Sequence, residues 1–311
     1  MLRAGEELFG TYVWGIYDLL VMPFSFASGG MEHPCVNFMS PTLLSGDKAN
    51  AHVVAHEIAH SWTGNLVTNI NMQHFWLNEG FTMFLERKIL AQVEGVEARD
   101  FSALDGWSIL KNQINSLGDN NNVTKLVTNL EGVEPSWNKG YSMVQYMKGA
   151  VFLRYLEQLV GETKMDDFLR IYIKKFSKKS IDSDAFKSTF INHFGALPMV
   201  DWDTWLYSPG MPVHEPVYDK SVVRDITDLA KKWLKWDPEA QPDFSEKTFA
   251  KFKVKHKKMF LNKLLEEDAL STVKIQKMAE FYKLDNSKDV ETRFLWLSLS
   301  IKVNQIQSDR A

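Results

Sequence analysis

Hydrophobic and polar positions follow two periods in this chain, and the change of period divides it. Tyr12–Phe24 alternates aromatic and aliphatic residues and reads as a strand entering the core. Ser25–Pro34 (SFASGGMEHP) reads as a glycine-bearing turn or edge segment, and Ser40–Leu44 as a short extended piece. Gly46-Asp47 then opens a helix through His60, with Asp47 suited to the N-cap. From Asn78 the period is helical: Phe81, Phe84, Leu85, Ile89 and Leu90 recur at spacings of three and four. Phe101–Leu117, Tyr141–Val160, Lys164–Phe176 and Asp182–Phe194 read as further helices. Between them, Gly118–Asn122 is a polar break, Thr124–Trp137 is irregular and Ser177–Ile181 is a turn. Ser208–Val217 holds three prolines and a glycine and marks a boundary. Beyond it Lys220–Trp236, Ser245–Lys253, Lys255–Asp268, Thr272–Lys283 and Val290–Val303 all read as helices. The expected organisation is a first domain over 1–207, a linker over 208–218 and an all-helical, solenoid-like domain over 219–311.

At 311 residues the chain has room for two domains. Its 45% hydrophobic and 24% charged content is ordinary for a globular protein, and a net charge of −3 predicts no general affinity for nucleic acid or anionic membrane. The basic run Lys251–Lys258 (KFKVKHKK) reads as a solvated helix face, because its surroundings are rich in Asp and Glu. One cysteine, Cys35, excludes an internal disulfide and fits a reducing, cytoplasmic compartment. Asp18 and Pro23 interrupt the apolar stretch Tyr12–Phe26, so neither a membrane span nor a signal peptide is expected.

The chemistry centres on Val53–Gly80. His56-Glu57-Ile58-Ala59-His60 is an H-E-x-x-H motif. Histidines at i and i+4 share one helix face, so both rings can reach one ion, and Glu57 can hold a metal-bound water. Alone, the motif is also met as two surface histidines on an amphipathic helix. Asn78-Glu79-Gly80 follows eighteen residues after His60 and leads into a helix, which makes Glu79 the natural third ligand. Three protein ligands and one open position describe a catalytic zinc site. His52 extends the stripe upstream, but eight residues of helix put it about 12 Å from His60. One ion with bonds of about 2 Å cannot take both outer rings.

Five segments resemble zinc aminopeptidases of the M1 family, in the leukotriene A4 hydrolase and aminopeptidase B branch. They are GGMEHP (Gly29–Pro34), HEIAHSWTGNLVT (His56–Thr68), WLNEGF (Trp76–Phe81), YSMVQYMKG (Tyr141–Gly149) and DWDTWLYSPGMP (Asp201–Pro212). The resemblance implies a mainly α fold: a thermolysin-like zincin domain with few strands, then a helical domain. It implies one zinc per chain on His56, His60 and Glu79, with Glu57 as general base. It makes Tyr146 the phenol that binds the oxyanion, although periodicity alone reads Tyr146 as a core aromatic. It makes Glu32 the partner of a substrate's α-ammonium, although by itself Glu32 is equally a strand-edge residue. The backbone of Ala27, Ser28, Gly29, Gly30 and Met31 should run extended beside a short peptide substrate, with Tyr141 as a wall.

The sequence departs from the family at four points. His33 stands where Asn is usual after the glutamate. Asn138 stands where leukotriene A4 hydrolase has an acidic residue tied to epoxide hydrolysis, which ranks that activity below peptide hydrolysis. The family's N-terminal β-domain has no counterpart here, and neither has the end of its helical domain. The chain is therefore expected to be short at both ends, with part of the strand at Tyr12–Phe26 left as an exposed edge. A zinc-binding module without turnover is the corresponding alternative to an active enzyme.

Overall fold

The computed structural model describes residues 1–46, 48, 50–130, 142–267 and 270–308, the last five as backbone only. Asp47, Asn138 and Tyr141 lie outside the described residues, as do the end of the Thr124–Trp137 segment and the last residue of Lys255–Asp268. The chain divides into two compact units, Met1–Ser40 with His52–Tyr218, and Pro41–Ala51 with Asp219–Ala311.

The first unit contains α1 (Leu2–Phe9), β1 (Asp18–Val21), β2 (Gly30–Met31), β3 (Val36–Met39), α2 (Ala51–His60) from its second residue on, β4 (Val67–Asn69), α3 (Trp76–Glu94) and α4 (Val96–Leu117). It continues with α5 (Met143–Val160), α6 (Glu162–Phe176), β5 (Lys179–Ile181), α7 (Ser183–Phe194) and α8 (Trp202–Tyr207). Helices α3 and α5 form its centre. Both are buried on nearly every side, which is why neither shows a clear polar face. They cross where Gly80 meets Gly149: a Cβ on Gly80 would lie 2.7 Å from the Gly149 Cα, so only glycine permits this approach. Around the crossing, Trp76, Phe81, Phe152, Tyr172, Phe186 and Trp202 form one aromatic cluster with ring centroids 5.1–5.9 Å apart. This core anchors the start of α3, and the start of α3 carries Glu79.

Three segments differ from the sequence reading. Tyr12–Phe24 is not one core strand. Gly15 adopts φ +80°, Tyr12 Oη donates to the Ile16 carbonyl at 2.6 Å, and the alternation breaks into a loop. Only Asp18–Val21 is extended; it pairs in parallel with β3 and leaves Leu19 and Leu20 each 47% exposed. Ser40–Leu44 is not extended either, since Pro41–Leu43 winds into a single 3₁₀ turn. The turn assigned to Ser177–Ile181 contains β5, which pairs in parallel with β4. Helix α1 has no counterpart in the sequence reading. Its Gly5, normally a breaker, lets the Trp62 ring sit where a Cβ would come within 2.6 Å.

The second unit is built from α9 (Ser221–Lys235), α10 (Glu246–Ala250), α11 (Val254–Leu265), α12 (Thr272–Tyr282) and α13 (Val290–Ser308). Trp233, Phe249, Phe260 and Trp296 are its large core residues, and the partly buried Tyr282 ring stacks on Phe249 at 3.9 Å. The basic run is partly internal. Phe252 and His256 are buried, and the Lys258 ammonium pairs with Glu291. No helix among the described residues is long and apolar enough to cross a membrane.

Candidate metal centre and substrate site

Helix α2 presents His56 and His60 on one face, one turn apart, and the first turn of α3 presents Glu79 to them. The two Nε2 atoms lie 3.1 Å apart. Glu79 Oε2 is 3.3 Å from His56 Nε2 and 3.4 Å from His60 Nε2. Zinc bonds of about 2.0–2.2 Å place the ligand atoms of a tetrahedral site about 3.3–3.6 Å apart, close to this triangle. All three groups are largely buried, and Glu79 Oε2 is enclosed without a hydrogen-bond donor.

The far side of each ring sets its tautomer. His56 Nδ1 lies 3.1 Å from the Glu86 carboxylate, and His60 Nδ1 lies 3.1 Å from the Thr63 carbonyl. Both oxygens can only accept, so the proton belongs on Nδ1 and the Nε2 lone pairs point at each other. With both rings neutral, two lone pairs and a carboxylate oxygen within 3.4 Å of one another repel unless a proton or a metal ion lies between them. The donor set, the spacing and the enclosed oxygen therefore fit zinc. His52 belongs to no such group among the described residues, whereas Glu32, Glu57 and His60 form a second, overlapping one.

Protein charges alone perturb the cluster strongly. Burial opposes charge on His56, yet Glu79 and Glu86 outweigh it and hold the pKa well above the ordinary value. His60 shows the same contest, with Glu79 and Glu32 prevailing over burial. Burial works to raise Glu79, but the two histidines pull it down to about 2. Burial pushes Glu57 up to about 7; His56 and His60 act against this, and Glu32 and Glu79 add to it. The protein's own charges thus push the two carboxyls apart, Glu79 down and Glu57 up.

Glu57 is pressed against the glycine segment. A Cβ on Gly30 would come 2.1 Å from Glu57 Oε1, while one on Gly29 would meet nothing nearer than Val53 at 3.8 Å. Glu32 follows on the same segment. Its Oε1 lies 3.7 Å from His60 Nδ1, and its carbonyl accepts from Asn65 Nδ2 at 2.8 Å. The extended stretch expected over Ala27–Met31 is shorter than read: only Gly30 and Met31 pair, antiparallel to β3, while Ser28 and Gly29 bend. The carbonyl of Gly29 still accepts from Ser40 N at 2.8 Å. His33 turns onto the Phe38 ring at 4.4 Å. Tyr146 is buried on α5, its ring parallel to that of His56 at 6.2 Å and edge-on to Phe75.

Several contributors were not singled out from the sequence. Glu86 stands two turns along α3 from Glu79, so the same i, i+7 stripe could have found it. Thr82 Oγ1 lies 3.2 Å from His60 Nδ1 and 2.8 Å from Thr63 Oγ1; nothing local distinguishes these threonines. Tyr17 encloses its phenol, with burial first and the Glu57 charge second in raising its pKa.

Residues 1–205 match the domain described as Peptidase family M1, and residues 252–309 match the domain described as Leukotriene A4 hydrolase, C-terminal. The chain belongs to the M1 peptidase family. This M1 peptidase chain is 42% identical over 307 residues to leukotriene A-4 hydrolase of Xenopus laevis, covering 97% of itself and 50% of that protein. It is 41% identical to leucine aminopeptidase 2 of Neosartorya fischeri, covering 97% of itself and 49% of the relative. Among solved structures, yeast leukotriene A4 hydrolase in complex with bestatin superposes with a TM-score of 0.90 at 35% identity, over 97% of this chain and 52% of that one. An M1 zinc metallopeptidase from Deinococcus radiodurans, 24% identical with a TM-score of 0.56, shares the fold over 70% of this chain and 45% of its own. The chain thus spans about half the length of the relatives it matches. The mainly helical architecture expected from the sequence is the one these structures share.

Proposed function

We propose that this M1 chain acts as a zinc aminopeptidase on short peptides. The observation that carries the reading is the convergence of His56, His60 and Glu79 within 3.4 Å, with Glu57 and Glu32 on the adjoining group. Zinc held by His56, His60 and Glu79 would supply a Lewis acid and an acidified water. Glu32 pairs with the substrate's α-ammonium and so measures from the chain end. Glu57 accepts the proton of the attacking water and returns it to the leaving amine nitrogen. Tyr146 donates its phenolic proton in a hydrogen bond to the scissile carbonyl oxygen as negative charge develops there. Gly30 leaves room for Glu57 and, with Ala27, Ser28, Gly29 and Met31, offers backbone to the peptide. Tyr141 is assigned as a wall by its sequence position.

The test is release of N-terminal residues from amino-acid p-nitroanilides by metal-quantified protein. Turnover should vanish with a chelator and fall by about 10²–10⁴ in Glu57→Gln, the range expected for loss of a general base. Fully zinc-loaded protein without turnover would overturn the reading. That result would favour a zinc-bound module without activity. Epoxide hydrolysis ranks below peptide hydrolysis because the amide of Asn138 cannot act as a carboxylate does.

A further inference from the structure

Lys148 is a buried ammonium that reaches no carboxylate among the described residues. Its Nζ donates to three backbone carbonyls: Thr124 at 3.0 Å, Ser208 at 2.9 Å and Gly210 at 2.9 Å. These belong to the turn after α4 and to the proline-glycine segment after α8. The two segments are also joined directly, because Gly210 N donates to Thr124 Oγ1 at 2.8 Å. Gln145, three residues earlier on α5, donates from Nε2 to the Val123 and Lys125 carbonyls, both at 3.2 Å. Residues 145 and 148 therefore grip the same turn from positions on either side of Tyr146. Three carbonyls satisfy all three N–H groups of an ammonium, a match no neutral or shorter side chain reproduces. Burial of an unneutralised cation is costly to stability. A core apolar residue would avoid that cost, so the cation has a use other than packing.

We infer that Lys148, with Gln145, is a positioning residue for the Tyr146 phenol, fixing the first turn of α5 against two loops. This inference rests on the role proposed above for Tyr146. Since Lys148 acts through another residue, its removal should lower kcat and leave the metal and the ammonium pocket intact.

The experiment is a double-mutant cycle on zinc-quantified protein with a leucine p-nitroanilide substrate: wild type, Lys148→Met, Tyr146→Phe and the pair. Lys148→Met is expected to lower kcat at least tenfold with KM within twofold and full zinc content. In the Tyr146→Phe background the same change should cost less than threefold, because the phenol it positions is gone. Additive losses, or a kcat within threefold of wild type, would overturn the inference. Gln145→Leu is the second variant should Lys148→Met not fold, and it should show the same non-additivity. Amide exchange supplies a readout independent of turnover. The Gly210 amide and the first-turn amides of α5 should exchange at least tenfold faster in either single variant. A zinc-loaded wild type without turnover would sink the aminopeptidase reading alone; unchanged exchange in both variants would sink the positioning role.

Discussion

The metal cradle and the glycine segment meet at Glu57 but are built in opposite ways. The cradle is helical and buried: His60 and Glu79 lie at the centre of a packed core, and Glu86, Thr63 and Thr82 hold the imidazole tautomers. The glycine segment lies on a three-stranded sheet whose outer strand, β1, exposes all four of its residues. It is held by one two-residue pairing with β3 and a few hydrogen bonds. Under the function proposed above, a metal would tolerate little displacement of its ligands, which suits a rigid, buried cradle. A peptide substrate would add hydrogen bonds of its own, which suits a lightly held sheet edge.

The sharpest way to break the contrast is to strike each side separately. Glu79→Ala should abolish stoichiometric zinc and activity together, read by metal analysis after dialysis. It also leaves two buried imidazoles facing each other, so the melting temperature should fall. Gly30→Ala strikes the other side. A methyl group 2.1 Å from Glu57 Oε1 must displace the base, so kcat should drop by about 10²-fold with zinc retained. Gly29→Ala meets only ordinary contact at 3.8 Å and should keep kcat within about threefold, with the pair compared in one assay. Equal losses at the two glycines would erase the distinction drawn here.

A smaller effect concerns the core that carries the cradle. Gly80→Ala places a methyl group 2.7 Å from the Gly149 Cα, and backbone cannot step aside cheaply. Denaturant unfolding should report a loss of about 1–3 kcal/mol, the usual cost of overpacking. The smallest effect is a pH dependence. Burial holds Lys148 down to about 8, against about 10.4 for a solvated lysine. At pH 7 both native and unfolded chains carry the proton, and the native state bears the burial cost. As pH rises from about 8 towards about 10.4, the native lysine releases its proton first, the unfolded state binds more protons and that cost fades. The stability gap between wild type and Lys148→Met should therefore shift in favour of wild type across this window. The carbonyls of Thr124, Ser208 and Gly210 face the ammonium, and Asp201 and His214 line the same cavity. A gap that stays constant from pH 7 to pH 10 would show that Lys148 does not titrate there.

Sequence alone determined the parts of this site that are local. A four-residue helical spacing places His56 and His60 on one face whatever surrounds them, and periodicity over Phe81–Leu90 made Glu79 the start of a helix. The pattern over Tyr12–Phe24 made an extended segment legible around Asp18–Val21, but not its exposure or the break at Gly15, because a glycine inside an alternating run is equally a strand residue or a turn until its φ is known. Tertiary structure alone decided what depends on distant pairs. The 2.7 Å crossing of Gly80 and Gly149, the seat of Gly30 against Glu57 and the burial of Lys148 under three carbonyls join residues from 24 to 69 positions apart. No local period records such distances. They follow from how helices and strands fill one core, where close packing sets each separation to a fraction of an ångström.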